Sequence, residues 1–214
     1  MSAPSPARPP KRTMIEGRYA RLEPIGPQHV VDLFRATQGQ EQRFIYLFED
    51  APTTEAAMAD WVASAALKDD PLCFAVIDVT TGRAEGRQSL MRITPEHGVI
   101  EVGGIYWGPA IARTRVTTEA LVLHARYVFD ELGYRRFEWK CNDLNEPSRA
   151  AAARFGFTFE GVFRQHMIVK GKNRDTAWFA MLDTEWPRIK AEFERWLEPG
   201  NFDADGMQKS RLRF

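Results

Sequence analysis

The sequence predicts an α/β domain, α+β in its early order, with a mixed and mostly antiparallel central sheet of about seven strands flanked by helices. Three observations carry this expectation. Residues 72–107 hold three strand-like runs separated by two tight turns, the pattern of an antiparallel meander. Residues 118–182 then read helix, strand, short helix and two strands, which requires a crossover. The whole chain has 214 residues, enough for one substantial core.

Tyr19 to Pro24 reads as the first strand, ended by a Pro/Gly turn. Pro27 opens a helix with Val30, Val31, Leu33 and Phe34 on one side. Thr53 or Thr54 precedes a second helix, in which Met58, Trp61, Val62, Ala65 and Ala66 recur at helical spacing. Leu72 to Val79 is an apolar strand closed by Thr80-Thr81-Gly82, Gln88 to Ile93 is the next, and Pro95-Glu96-His97-Gly98 turns into Val99 to Trp107. A helix from about Thr118 to Leu132 aligns Leu121, Ala125, Val128 and Leu132, and Gly133 ends it. Arg136 to Cys141 is a strand, and Asn145 to Phe155 is a short alanine-rich helix closed by Gly156. Phe157 to Phe163 and Thr176 to Leu182 are strands joined across Lys170-Gly171-Lys172-Asn173. The last helix, Glu185 to Leu197 with Thr184 as N-cap, puts Trp186, Ile189, Phe193, Trp196 and Leu197 on one face. Residues 1–14, Pro-rich and basic, are expected to be a disordered arm, 15–198 a single domain and 199–214 a flexible tail.

Composition narrows the function. Lys+Arg and Asp+Glu are 29 each, so no global field favours nucleic acid or an anionic membrane. No run approaches the ~20 apolar residues of a membrane span, and no signal peptide is evident, so a cytoplasmic protein is the default expectation. Cys73 and Cys141 lie in strand-like runs and are expected as buried free thiols. His29, His97, His124 and His166 are scattered, and no metal site is expected.

The most informative window joins a strand ending at Trp107 to a helix beginning near Thr117 or Thr118, through a loop carrying Arg113 and Arg115. A helix N-terminus with unpaired N–H groups, beside two guanidinium groups, suits phosphate oxygens. Taken alone, the same residues read more readily as an ordinary strand-to-helix connection with solvated arginines. The loop lacks the Gly-rich run and Gly-Lys-Ser/Thr ending of a P-loop.

From Gly86 to Leu182 the chain resembles the GNAT acyltransferases, particularly the branch of ribosomal-protein N-terminal acetyltransferases (RimJ/RimL-like). The resemblance is carried by VIEVGGIYWGPA, similar to the family's fourth strand, and by TRVTTEALVLHARYVFDELGYRRFEWKCNDLNEPSRAAAARFGFTFEGVFR, similar to its loop, helix, strand and Asn-containing helix. Thr118-Glu119-Ala120, Asn145, Ser148, Gly156-Phe157, Glu160-Gly161, Arg164 and Asp175 fall where the family has them. One departure stands out. The family's pyrophosphate loop is usually Gln/Arg-x-x-Gly-x-Gly/Ala, and here Arg115 occupies a usual glycine position.

The resemblance implies the GNAT fold and an N-acyltransferase that moves acetyl from acetyl-CoA to a primary amine by direct attack in a ternary complex, without metal. The acceptor it implies is a small-molecule amine or a protein N-terminus. Arg113, Thr114, Arg115, Val116, Thr117 and Thr118 would hold the cofactor's diphosphate, Gly104 and Ile105 its thioester end, and Asn145 and Ser148 its pantetheine arm and sulfur. Gly103-Gly104 reads as a bulge or a close approach to a ligand. Glu101, between Ile100 and Val102, alternates to the other side of its strand and is the general-base candidate. Ser148 is the candidate acid for the departing thiolate; capping alone also accounts for Asn145 and Ser148. Phe44, Tyr46 and Phe48, with Glu49 and Asp50, fall where relatives bind acceptors, and Glu49 and Asp50 would attract a cationic amine; a mainly structural role for the cluster is the competing and stronger reading. A non-catalytic module that keeps the fold is the alternative, and the apolar last helix and tail leave a homodimer open.

Overall fold

The computed structural model describes residues 6–214. Its strands are β1 (Ile15–Glu16), β2 (Ala20–Pro24), β3 (Leu72–Asp78), β4 (Arg83–Thr94), β5 (Val99–Trp107), β6 (Arg136–Asn142), β7 (Thr158–Val169) and β8 (Lys172–Leu182). The helices are α1 (Val30–Thr37), α2 (Glu55–Ala66), α3 (Arg115–Arg126), α4 (Glu146–Arg154) and α5 (Trp186–Leu197). All eight strands join one sheet in the order β1-β2-β3-β4-β5-β6-β8-β7. Every neighbouring pair is antiparallel except β5 and β6, which run parallel through the α3 crossover. The mixed, mostly antiparallel sheet is therefore as expected, with β1 added at its edge.

Alternation along the central strands divides the core. Cys73, Ala75 and Ile77 of β3 face α1 and α2. Phe74 and Val76, with Ile100, Val102, Phe137 and Trp139, face α3 and α5. α3 is buried from Val116 through Ala125, so its polar residues need internal partners. The Glu119 carboxylate accepts from the Ala20 N–H at 2.7 Å, fixing the start of β2. Gln88, itself buried, donates to the Ala120 carbonyl at 2.9 Å.

Several boundaries differ from expectation. α3 starts at Arg115, three residues early, because Thr114 caps it: the Thr114 hydroxyl accepts from the Val116 N–H at 3.2 Å. The end of that helix widens into a π-turn over Tyr127–Glu131 before Gly133, which has φ +78°. α5 starts at Trp186 with Glu185, not Thr184, as its N-cap. β4 begins at Arg83 rather than Gln88 because its buried charges are paired with the layer that covers it: Glu85 takes Arg35 of α1 at 2.7 Å, and Arg87 bonds Glu49 between α1 and α2. The β7–β8 hairpin extends past its expected ends to Val169 and from Lys172, and its solvent-facing polar residues hide the strand pattern.

Both chain ends pack rather than trail free over their described residues. Residues 1–5 of the expected disordered arm lie outside the described residues. Beyond them Ala7 is buried, its N–H reaches the Pro95 carbonyl at 3.1 Å, and Arg8 N–H reaches Leu132 at 2.9 Å. In the tail Phe202 is buried edge-on against Trp196 at 5.0 Å, and Phe214 meets Phe193 at 5.1 Å.

Candidate active site

The sheet opens at its parallel pair, β5 and β6. β5 and β6 pair from Val99↔Arg136 to Val102↔Trp139 and no further, although β5 continues to Trp107 and β6 to Asn142. On its other edge β5 bulges: Ser89 faces Gly103 and Arg87 faces Tyr106, so β5 spends one residue more than β4. Gly104 takes φ +58° in that bulge, a conformation that favours glycine, and its carbonyl accepts from Arg87 at 2.8 Å. The bulge turns the end of β5 away from β6, and a cavity of about 1040 Å³ occupies the gap.

Strand alternation gives this opening two chemically distinct sides. On the α3 side stand Trp139 and Cys141, roofed by the start of α4. Asn145 caps α4, accepting from the Ser148 N–H at 3.2 Å. Ser148 Oγ accepts from the Trp139 indole at 3.0 Å. Burial pushes the Cys141 thiol above its ordinary range, and that of fully buried Cys73 likewise, so neither is poised as a thiolate nucleophile. Both cysteines are free and buried, as expected.

The first turn of α3 opens onto the same side. Thr114 takes the Val116 N–H, leaving Arg115 and Thr117 in the turn whose N–H groups have no intrahelical acceptor. Arg113, at φ +64°, is exposed at the rim. Arg115 stacks instead on Tyr19 at 4.4 Å and Phe202 at 5.2 Å. The guanidinium that replaces the usual glycine thus also holds the tail. Arg113, Thr114, Arg115 and Thr117 line the cavity; Val116 and Thr118 are buried behind it. Arg154, absent from the sequence expectations, lines it too and donates to the Thr118 hydroxyl at 3.1 Å. Its place in an alanine-rich helix gave no pattern to find it by.

On the opposite side Glu101 is 3% exposed. Arg92 and Lys140 both bond its Oε2, each at 2.8 Å. Lys140 also meets Glu138 at 2.7 Å, and Arg136 links Glu138 at 2.6 Å to Glu160 at 2.5 Å. Burial pushes the Glu101 carboxyl above its ordinary range, against the pull of Lys140 and Arg92. Gly103 lies beside the other oxygen: a Cβ on it would sit 3.2 Å from Oε1. Glu101, Gly103, Gly104, Ile105, Asn145 and Ser148 therefore meet in one cavity, although the sequence spreads them over two segments.

The acceptor-side expectations fare unevenly. Tyr46 and Phe48 line the cavity, whereas Phe44 is buried against Tyr106 at 4.9 Å. Glu49 is paired with Arg87 and Asp50 with Lys170 at 2.8 Å, so neither is a free anion awaiting an amine. Asp175 accepts from the Gln165 N–H at 2.7 Å and from Asn173 at 2.8 Å, fixing an irregularity in β7, and Arg164 is exposed. His166 lines the cavity and is bonded to the Thr176 hydroxyl at 3.0 Å.

Residues 20–158 match the family model described as the acetyltransferase (GNAT) domain. The chain belongs to the GNAT acetyltransferase family. Its fold is the GNAT fold and it is an N-acetyltransferase. The structure of a GCN5-related N-acetyltransferase from Brucella melitensis is 56% identical, with a TM-score of 0.95 over 97% of this chain and 95% of that one. A probable GNAT-family acetyltransferase from Chromobacterium violaceum is 37% identical, with a TM-score of 0.81 over 87% of this chain and 94% of that one. The ribosomal branch is represented by YdaF of Bacillus subtilis, provisionally named a ribosomal N-acetyltransferase. It is 25% identical over 179 residues, covering 77% of this chain and 90% of that protein. GNAT acetyltransferases use acetyl-CoA, and the two-sided opening of this chain fits such a co-substrate in its donor set. No helix of the described residues is long and apolar enough to cross a membrane.

Proposed function

We propose that this GNAT acetyltransferase transfers acetyl from acetyl-CoA directly to a primary amine, with both reactants held at once in the opening between β5 and β6. The observation that carries the reading is the end of pairing at Val102↔Trp139, with the first turn of α3 facing the same cavity from one side and Glu101 from the other. Acetyl-CoA supplies an activated thioester; the remaining chemistry belongs to the chain.

The first turn of α3, with Arg113, holds the diphosphate through N–H groups and a guanidinium. Asn145, whose Oδ1 caps α4, keeps its amide N–H₂ for the pantetheine amides. The bulged backbone at Gly104 and Ile105, freed from β6, offers N–H groups to an oxygen gaining charge. Glu101 takes the amine's proton at Oε1, directly or through water, and its raised affinity for protons matches that task. Ser148 donates its hydroxyl proton toward the departing sulfur, while the Trp139 indole holds its oxygen in place. Two thiols kept protonated by burial favour direct attack over a cysteine-bound acyl group.

Two measurements test this reading. Calorimetry should show acetyl-CoA binding, and addition of a mixed amine library should release free thiol. Absence of acetyl-CoA binding at high micromolar concentration defeats the assignment of the cavity. A primary amine acetylated only through an isolable acyl-enzyme defeats direct attack.

A further inference from the structure

Arg174, on the acceptor side, is a buried cation whose Nε and Nη1 are unpaired among the described residues. It lies near the start of β8, and the register Lys140↔Trp178 and Asn142↔Thr176 puts Arg174, Thr176 and Trp178 on the same sheet face as Lys140 and Glu101. Its side chain lines the cavity and is 7% exposed, yet Nε and Nη1 have no hydrogen-bond partner among the described residues. The guanidinium rests on the Phe48 ring at 4.7 Å. A cation–π contact offsets part of the desolvation, but it leaves both N–H donors unsatisfied.

The other charges facing this group are already spent. Lys140 is shared between Glu101 and Glu138, Arg92 bonds Glu101, and Arg136 joins Glu138 to Glu160. His166 is occupied with Thr176. What remains is one buried cation facing the space where the amine must stand. Burying an unpaired charge is costly unless a ligand completes it. A single uncompensated guanidinium matches a singly charged planar anion better than a dianionic phosphate, which asks for more than one cation.

The size of the anion's carrier is limited from above. Lys170, at the tip of the β7–β8 hairpin, donates to the Phe44 and Glu49 carbonyls at 3.0 Å each and pairs with Asp50. This latch ties the hairpin to the loop before α2, and Phe48 and Glu49 of that loop and His166 and Met167 of the hairpin line the cavity beside Arg174; an acceptor bounded by both is better matched by a compact molecule than by an extended chain.

We infer that Arg174 is a specificity residue that binds the carboxylate of the acceptor, so that the preferred substrate is a small amine carrying a carboxylate, of amino-acid size. This rests on the acyl-transfer reading above and narrows its substrate class. Nothing in the bonds made or broken changes: Arg174 orients the acceptor and exchanges no proton.

The test compares the common amino acids with their carboxamides as acceptors, by thiol release, in the wild type and in Arg174→Gln. A preferred amino acid should be used with a KM about tenfold lower than its carboxamide, which corresponds to about 1.4 kcal/mol. Arg174→Gln should erase that preference while leaving the carboxamide KM and the acetyl-CoA Kd unchanged; an unchanged acetyl-CoA Kd also shows that the variant is folded. In parallel, binding of N-acetyl amino acids and N-acetyl amino-acid amides to the enzyme with coenzyme A is measured by calorimetry, which needs no turnover. Equal use and equal binding of carboxylates and carboxamides, as expected if water alone satisfies Arg174, overturns the inference while thiol release keeps the acyltransferase reading. Arg174-dependent carboxylate binding without thiol release from any amine does the reverse. Preference for peptides with an acidic first residue over every free amino acid overturns the small-acceptor assignment.

Discussion

Lys140 meets Glu101 at the carboxylate oxygen that Arg92 also bonds. The Lys140 ammonium lies 2.8 Å from Oε2, Arg92 takes that same oxygen at 2.8 Å, and Oε1 is left on the Gly103 side. A carboxylate held in this way is oriented without being fully consumed. Its proton affinity is set by burial, which raises it, against the two cations, which lower it.

From this arrangement Glu101→Gln is expected to lower kcat about 100-fold, within the range of a positioned general base. The limb of kcat/KM that rises with pH should disappear, because the group whose deprotonation creates it is gone. Lys140→Gln tests the same point from the other partner. Removing a cation raises the Glu101 proton affinity further, so the limb should move to higher pH. An unmoved limb in both variants removes Glu101 from the proton path.

Ser148→Ala should lower kcat about tenfold or more and leave the acetyl-CoA Kd within about twofold. The substitution also orphans the Trp139 indole N–H, now bonded to Ser148 Oγ at 3.0 Å, so a change in tryptophan fluorescence is expected without unfolding. Unchanged turnover alongside that spectral change would assign Ser148 to capping and packing alone.

Arg113 and Arg115 separate two functions that the sequence joins. Arg113→Ala with Arg115→Ala should weaken coenzyme A binding about tenfold through lost charge-assisted bonds. Arg115→Ala alone should also loosen the tail, since its guanidinium stacks on Tyr19 and Phe202. Faster amide exchange in residues 199–214, absent in Arg113→Ala, is the signature. Equal exchange in both single variants would show that the tail is held by Trp196 and Phe193 alone.

What was legible in the sequence follows from what is periodic. The apolar runs of β3 and β5, the α3 stripe and the Gly103-Gly104 bulge each leave a local signature in residue spacing or backbone tolerance. Glu101 was found because alternation between Ile100 and Val102 assigns its side. Arg174, Lys140 and Arg92 were not found, because each looks like an ordinary strand cation until the sheet register brings the three strands together. Glu49 and Asp50 misled for the same reason: their partners, Arg87 and Lys170, are 38 and 120 positions away along the chain. Arg115 and Phe202 are likewise distant in sequence, so the tail, rich in Gly and Asp, reads as loose when its anchors are out of view.

His124 supplies a stability prediction independent of the reaction. It is fully buried on α3, edge-on to Phe74 at 5.0 Å, and its Nδ1 accepts from Gln88 Nε2 at 3.0 Å. Nε2 therefore carries the proton in the neutral ring, and it has no partner among the described residues. Burial pushes the pKa down from 6.5 to about 3. The unfolded chain gains a proton on this histidine as pH falls through 6.5, and the folded chain does not until near 3. Stability from this group is thus complete above pH 6.5 and is lost as pH falls between those values. From pH 7 to pH 4.5 the loss amounts to about 2.5 kcal/mol. His124→Asn keeps an acceptor for Gln88 and removes the titration, so its urea-derived stability should fall less steeply with acid than the wild type, whatever its value at pH 7. Parallel slopes for the two proteins over that interval would mean that His124 is protonated in the folded state and that Gln88 presents its oxygen rather than its nitrogen.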